Sequence, residues 1–395
     1  MTDHSAIAPL SLERNGRLRI AIVHDWLTGM RGGERTLEVL CQLFPRADLF
    51  TLVHVPGSVT PAIERHPLHR SFIQRLPLAG RLYRHYLPLF PTAIEQFDLD
   101  GFDLVISASH CAAKSVVAPG RARHLCYCFT PMRYAWDQFD AYFGAARLGG
   151  ASRAARAVLS HLARWDADTS GRPDRYVAIS QHVARRIRRY YNREASVVYP
   201  PVDTDFYHPG EQPIEAFCLV VSALVPYKRI DLAIAACRES RTPLKIVGQG
   251  PERARLERLA GPGVELLGAQ PDEVVRDLYR RATAVLLPGE EDFGIVPVEA
   301  QACGRPVVAL AAGGALETVI DGETGILVAG SSTEAFAAAL DRVRRTTFDP
   351  AVIRGRALRF SRERFARQIA ECLEQLLDEG GAIEDQPWSS AGTAS

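Results

Sequence analysis

A chain of 395 residues is long enough for two to three domains, at ~150 residues each. With 47% hydrophobic residues it can bury a sizeable core, which excludes disorder over most of its length. Its 47 Lys and Arg nearly cancel its 46 Asp and Glu, which excludes nucleic-acid binding driven by bulk charge.

The only lysines are Lys114, Lys228 and Lys245, so a lysine in a loop carries extra weight. The closest of the eight cysteines, Cys126 and Cys128, are spaced C-x-C in an apolar run. No second pair supports a metal site, and burial is the expectation. The N-terminus has no apolar run after a basic start, and no stretch of ~18 apolar residues occurs. A reducing, cytoplasmic location is expected.

Residues 1–17 are small, polar and aperiodic and are expected to be disordered. Strand-like runs follow at "RIAIVH" (19–24), "DLFTLV" (48–53), "DLVISAS" (103–109), "RHLCYCF" (123–129) and "RYVAIS" (175–180). After Ser180, a good N-cap, "QHVARRIRRYY" sets Val183, Ile187 and Tyr190 or Tyr191 on one helix face and its arginines on the other. A second series comprises "FCLVVSA" (217–223), "PLKIVG" (243–248), "GVELLG" (263–268), "TAVLLP" (283–288), "RPVVAL" (305–310) and "GILV" (325–328). The tail 379–395 is again polar and expected to be disordered.

Short apolar strands separated by helical patterns predict parallel sheets covered on both faces. So many strands exceed one ordinary doubly wound domain. The Pro- and acid-rich run "VVYPPVDTDFYHPGEQPIEAF" (197–217) reads as a linker. The fold class is therefore α/β, with two Rossmann-like doubly wound domains breaking near residue 210. Ligands bind at the carboxyl ends of such strands, so facing sheets would hold one in the cleft between them.

Four stretches could carry chemistry. In "PGEEDFGIVPVEAQACG" (288–304), Asp292, Phe293, Gly294 and Ile295 form a strand-to-helix loop with free N–H groups, a site that attracts phosphate. Glu291 and Glu299 flank it and suit neutral hydroxyls; spacing alone equally allows one capping and one solvated acid. In "VVSALVPYKRIDLAIAAC" (220–237), a strand ends at Ser222, and Lys228 with Arg229 could clamp a diphosphate or simply be solvated. "IVGQGPERARLERL" (246–259) adds the weak signal Gly248-x-Gly250. "VHDWLTGMRGGERTLEVL" (23–40) places Gly32 and Gly33 before a helix without dinucleotide spacing, which disfavours a hydride-transferring dehydrogenase. In "ISASHCAAKSV" (106–116), His110 follows a strand end, where structural and functional roles stay open.

Together and in this order, these stretches resemble the retaining glycosyltransferases of family 4, which have the GT-B fold. The likeness spans roughly residues 18 to 378, and its strongest element is the E-x7-E pair Glu291 and Glu299. "GMRGGER", "VVYPPVDTDFYHP", "VSALVPYKRIDLAI" and "ETVIDGETGILV" also resemble the family. "FTPMRYAWD" (129–137) and "EEDFGIVPVEA" are similar to bacterial mannosyltransferases that use GDP-mannose in surface polysaccharide synthesis.

The resemblance implies an N-terminal acceptor domain (18–210), a C-terminal donor domain (211–362) and a helix (363–378) packing back on the first domain. It implies transfer of a hexose, mannose above all, with retention and with neither metal nor cofactor. The acceptor would be a glycan or a lipid-linked hydroxyl. Lys228 would hold the donor diphosphate, and Phe293, Gly294 and Ile295 would meet sugar and phosphates. Glu299 would take the ribose, while Glu291 and His110 would face the transferred sugar. Gly32, Gly33, Ser222, Gly248, Gly250 and Asp292 complete the expected donor site. Asp25, Arg133 and Asp137 are the expected acceptor contacts. Ser222-Ala223 stands where many members have Gly-Arg, with Arg229 as the expected substitute. The alternatives are a UDP-sugar transferase of the same fold and a non-catalytic nucleotide-sugar-binding partner in a polysaccharide complex. The arginine-rich stretch 147–193 suggests peripheral membrane contact, or equally a solvated face.

Overall fold

The computed structural model describes residues 18–136 and 152–384. The expected disordered start, the tail beyond Glu384 and Asp137 lie outside the described residues. The first sheet is built from β1 (Ile20–His24), β2 (Asp48–Thr51), β3 (Leu68–Arg70), β4 (Leu104–Ser109), β5 (Arg123–Cys128), β6 (Arg175–Ala178) and β7 (Ala195–Val197). The second contains β8 (Cys218–Val221), β9 (Leu244–Val247), β10 (Val264–Gly268), β11 (Ala284–Leu287), β12 (Val307–Leu310) and β13 (Gly325–Val328).

Both sheets are parallel, with strand orders 3-2-1-4-5-6-7 and 10-9-8-11-12-13. The order reverses between β1 and β4 and between β8 and β11. At such a reversal, adjacent connections leave on opposite faces and open a crevice at the carboxyl edge. Asp25 follows β1, His110 follows β4, Ser222 follows β8 and Glu291 lies beyond β11. The two crevices thus place candidate side chains from four remote stretches around one gap.

Central strands are buried throughout: β1 and β4 expose almost nothing. This explains their unbroken apolar sequences. The edge strands β3 and β7, absent from the apolar runs, are only three residues each, and β3 carries His69 and Arg70. Short, polar edges resist pairing with other chains, and the same features hide them from pattern reading. All eight cysteines are free, and Cys126 and Cys128 are buried in β5.

The helices that shape the gap are α1 (Gly32–Leu43), α2 (Gln181–Tyr191), α3 (Ile230–Glu239), α4 (Ile295–Ala302) and α5 (Arg362–Glu384). In α2, the Ser180 hydroxyl accepts from Val183 N at 3.0 Å, while Val183, Ile187 and Tyr191 are buried. The expectation that every arginine of this helix faces outward is corrected, since Arg186 is buried. The terminal α5 crosses back to the first sheet, where Phe365 packs edge-on to Tyr127 at 5.5 Å. It continues to Glu384, past the expected end at 378, because adding turns to a formed helix costs little. No described helix is long and apolar enough to cross a membrane.

Candidate active site

The C-terminal wall starts from β11. The chain leaves the strand, turns at Gly294 with φ +86°, and enters α4. That backbone conformation favours glycine. It turns the first N–H groups of α4 toward the gap, where the helix dipole favours an anion. Lys228 lies opposite, in the 3-10 turn Pro226–Lys228 before α3, and its ammonium pairs with the Glu291 carboxylate. Burial disfavours the charged lysine, but Glu291 and Tyr227 together lift its pKa above the ordinary lysine value. Lys228 and Gly294 line one cavity.

Farther along α4, Glu299 is buried and accepts from the Tyr279 hydroxyl at 2.9 Å. Burial pushes its carboxyl above the usual range; Arg35 and the tyrosine hydroxyls pull it down. Such a carboxyl suits neutral hydroxyls. Glu299 lines a second hollow with Gly248, Ser222 and Asp272. Gly248 has φ +142°, and a side chain there would strike the Ser222 carbonyl. Gly250 sits instead against the backbone of Leu224, outside both hollows.

The N-terminal wall is organised by Asp25. Its carboxylate is fully buried and accepts four backbone N–H bonds, from His110 at 2.8 Å, Cys111 at 3.0 Å, Ala112 at 2.6 Å and Ala113 at 2.9 Å. Burial works against its charge and the four donors work for it. Asp25 therefore shapes the loop after β4, and His110 Nδ1 rests 3.2 Å from it. Trp26 packs edge-on to the His110 ring at 4.3 Å. Burial, then Arg31 and Arg84, lower the His110 pKa to about 3, so the ring is neutral. The arrangement makes Asp25 a scaffold of this wall, whereas the sequence reading has it as an acceptor contact.

Two further expectations are corrected. Arg133 and Asp292, assigned to acceptor and donor, bind each other across the gap, with Nε and NH2 at 2.8 and 2.7 Å from Oδ2. Arg186 adds a 2.7 Å contact to Oδ1, and His182 lies 3.8 Å away. Burial disfavours the Asp292 charge, but these cations hold its carboxyl below the usual carboxylate range. Arg229 turns to Asp231 at 3.4 Å and lines neither hollow. It has a left-handed φ of +52° at the step from the 3-10 turn into α3.

Other interlobe contacts have no local sequence signal. Arg35 of α1 grips Asp272 through NH2 at 2.8 and 2.7 Å. Glu317, beyond the second sheet's fifth strand, accepts from the N–H groups of Gln181 and His182 at 2.8 and 3.0 Å, capping α2 from the other lobe. The hollow at Lys228 and Gly294 brings together His110, Gly32, Gly33, Lys228, Glu291, Asp292, Phe293, Gly294 and Ile295. It also holds Arg31, Glu34 and Arg84, none of which the sequence reading selects. A gap between two parallel-sheet lobes, with an anion-favouring helix start on one wall and a neutral imidazole on the other, suits a ligand with a charged middle and hydroxylated ends.

Two family profiles match in tandem. Residues 30–206 match "Glycosyltransferase Family 4" and residues 203–347 match "Glycosyl transferases group 1". The chain has the GT-B fold of these glycosyltransferases. Among solved structures, this GT-B chain resembles a sucrose-phosphate synthase from Thermosynechococcus elongatus, with TM-score 0.70 and 20% identity over 92% of this chain and 100% of that one. It also resembles Anabaena HepE in complex with UDP, with TM-score 0.67 and 20% identity over 91% and 100% of the two chains. At such identity the likeness speaks for fold. A D-inositol 3-phosphate glycosyltransferase from Acidothermus cellulolyticus is 34% identical over 234 residues, 49% of this chain and 52% of the relative. The GT-B chain spans about half the length of the curated relatives it matches.

Proposed function

We propose that the protein transfers a hexose from a nucleoside diphosphate sugar to an acceptor hydroxyl. The observation that carries this reading is the placement of Lys228, the Gly294 helix start and His110 around one cleft. The diphosphate would lie between Lys228 and α4, the ribose at Glu299, and the hexose toward His110. Binding requires the diphosphate to take Lys228 from Glu291, and the carboxylate so released faces the hydroxyls of the sugar.

In the reaction, the bond from the anomeric carbon to the β-phosphate oxygen breaks and a bond to the acceptor oxygen forms on the same face. The acceptor proton passes to the departing phosphate. Lys228 and the α4 N–H groups offset the negative charge that grows on the leaving group. Neutral His110 holds a sugar hydroxyl without adding charge beside the reacting carbon. Closure of the lobes excludes water, which limits hydrolysis of the donor.

GDP-mannose is the donor favoured by the likeness of "FTPMRYAWD" and "EEDFGIVPVEA" to mannosyltransferases of polysaccharide synthesis. A UDP-sugar is the second reading, favoured by structures of HepE with UDP and UDP-glucose. Thermal shift with GDP, UDP and their sugars separates them, since a ligand at ~100 times its Kd adds about 2.7 kcal/mol. A larger shift with UDP than with GDP would remove the GDP-mannose assignment. Binding of a donor without transfer to any acceptor would leave a nucleotide-sugar-binding protein.

A lipid-linked acceptor suits one surface. No acidic residue occurs between Glu64 and Glu95, a stretch that contains Arg75, Arg81 and Arg84. It exposes Leu78, Leu82 and Leu89 beside the cleft that Arg84 lines. Residues 147–151 lie outside the described residues; this face, rather than 152–193, combines basic and apolar groups for an anionic bilayer. In the latter stretch Arg172 pairs with Glu95, and Arg186 is spent on Asp292. Co-sedimentation with vesicles containing phosphatidylglycerol, lost in Leu78→Ser/Leu82→Ser, is the expected result. Unaltered sedimentation of that variant would exclude this face.

A further inference from the structure

The usual phosphate-binding arginine is absent from residue 223, and Arg229, its expected substitute, points elsewhere. We propose that Arg31, on the opposite lobe, supplies the missing cation and grips the donor diphosphate from across the cleft. This deepens the reading above and rests on it.

The position follows from the shapes of the two hollows. A nucleoside diphosphate sugar with its ribose at Glu299 and its hexose at His110 must carry its diphosphate through the place where the hollows meet. The residues lining both are Arg31, Gly32, Val221 to Ala223, Ile295 and Val296. Among them only Arg31 bears a charge.

The backbone supports the same location. A side-chain carbon built on Gly32, the next residue, would lie 3.0 Å from Cδ1 of Ile295, the first residue of α4. The starts of α1 and α4 therefore meet across the gap. Two helix N-termini and one guanidinium converge where a diphosphate carries its charge. Arg31 shares its lining with Ala223, so an arginine at either position reaches the same neighbourhood from opposite sides.

Arg31 is also the cation left available. Arg133 and Arg186 are bound to Asp292, and Arg35 to Asp272. Arg84 lines only the hexose hollow. The carboxylate nearest Arg31 among the described residues is Glu34, at 4.0 Å, and the Arg31 side chain is 52% exposed. Glu34 satisfies the Arg31 backbone N–H at 3.1 Å instead. Burial pushes the Glu34 carboxyl up to about 7, which weakens its hold on the guanidinium near neutral pH.

A phosphate contact from the N-terminal lobe has a consequence. Donor binding would itself favour the closed arrangement, because the diphosphate touches both lobes only when they are close.

Calorimetric titration of the full-length protein with GDP and UDP, and with GMP and UMP as controls, tests this. Arg31→Ala is expected to weaken nucleoside diphosphate binding about tenfold while changing monophosphate binding much less. Adding Ala223→Arg to that variant should restore most of the affinity. Equal loss for mono- and diphosphate, or an Arg31→Ala protein that binds diphosphates as wild type does, would overturn the proposal. So would a folded double variant with no recovery. Lys228→Ala separates the two levels. If it weakens diphosphate binding and Arg31→Ala does not, only the Arg31 inference falls. If neither matters, the donor site itself is misplaced.

Discussion

The two walls of the cleft follow one topological rule and end in opposite electrostatics. On the C-terminal wall, Lys228 and the start of α4 present positive charge that reaches the cavity. On the N-terminal wall the main carboxylate, Asp25, is consumed by four backbone N–H groups, and His110 is held neutral. The difference matches the proposed division of labour, in which one wall would meet charge and the other hydroxyls. Arg31 and Arg84 are the exceptions, cations on the neutral side.

The largest expected effect breaks the neutral wall. Asp25→Ala leaves four buried N–H groups without an acceptor, at about 1–3 kcal/mol for an unsatisfied group. Partial relaxation still leaves a loss on the order of 4 kcal/mol, read from urea denaturation. A loss under ~1 kcal/mol would mean that the loop after β4 is held by something other than Asp25.

The charged wall is next. Lys228→Ala should lower kcat by about 10² to 10³, the effect of removing a donor aimed at developing charge. If only KM rose, Lys228 would bind donor and leaving group equally, and the catalytic reading of that wall would be lost.

These walls also differ in how much the sequence reveals. The C-terminal wall is legible because its parts are local: a strand end, a glycine with positive φ and a helix start lie within "LLPGEEDFGIVPVEA". All five inner strands of the first sheet and all six of the second follow from apolar runs bounded by turns. The polar edge strands do not. Asp25, Arg31 and Arg186 are harder. The roles of Asp25 and Arg186 depend on partners 85 and 106 positions away, His110 for Asp25 and Asp292 for Arg186, and Arg31 lines a cavity shared with the other lobe. An arginine on an amphipathic helix looks solvated until the second lobe arrives to cover it. The Arg133 and Asp292 assignments fail for the same reason: each residue type suits a ligand, and each finds the other first.

A smaller effect sharpens the boundary between the walls. Asp292→Asn removes the charge that holds Arg133 and Arg186 while keeping the shape of the loop. Donor KM should rise about tenfold, the scale of one lost charge-assisted bond. Small-angle scattering should show a larger radius of gyration. An expanded protein with unaltered KM would show that Asp292 closes the lobes without organising the donor loop.

The smallest expected effect tests whether the N-terminal wall is neutral. Burial holds His24 at about 4, His110 at about 3 and His124 at about 3, against an ordinary 6.5. Between those values the unfolded chain binds more protons, so stability is present above about 6.5 and is lost as pH falls toward 3. Glu34 has the opposite sign. Its carboxyl is raised by burial from 4.5 to about 7, so the folded chain keeps a proton that the unfolded chain has released. Stability from this group is present below 4.5 and lost as pH rises to about 7. Glu34→Gln keeps an acceptor for the Arg31 N–H and removes that loss. The variant should therefore gain on wild type between pH 5.5 and 8 by on the order of 1 kcal/mol in urea denaturation at constant slope. Parallel profiles would mean that Glu34 is ionised in the folded protein. A second fixed charge would then lie beside Arg31, and the contrast between a charged and a neutral wall would fail at the point where the two hollows join.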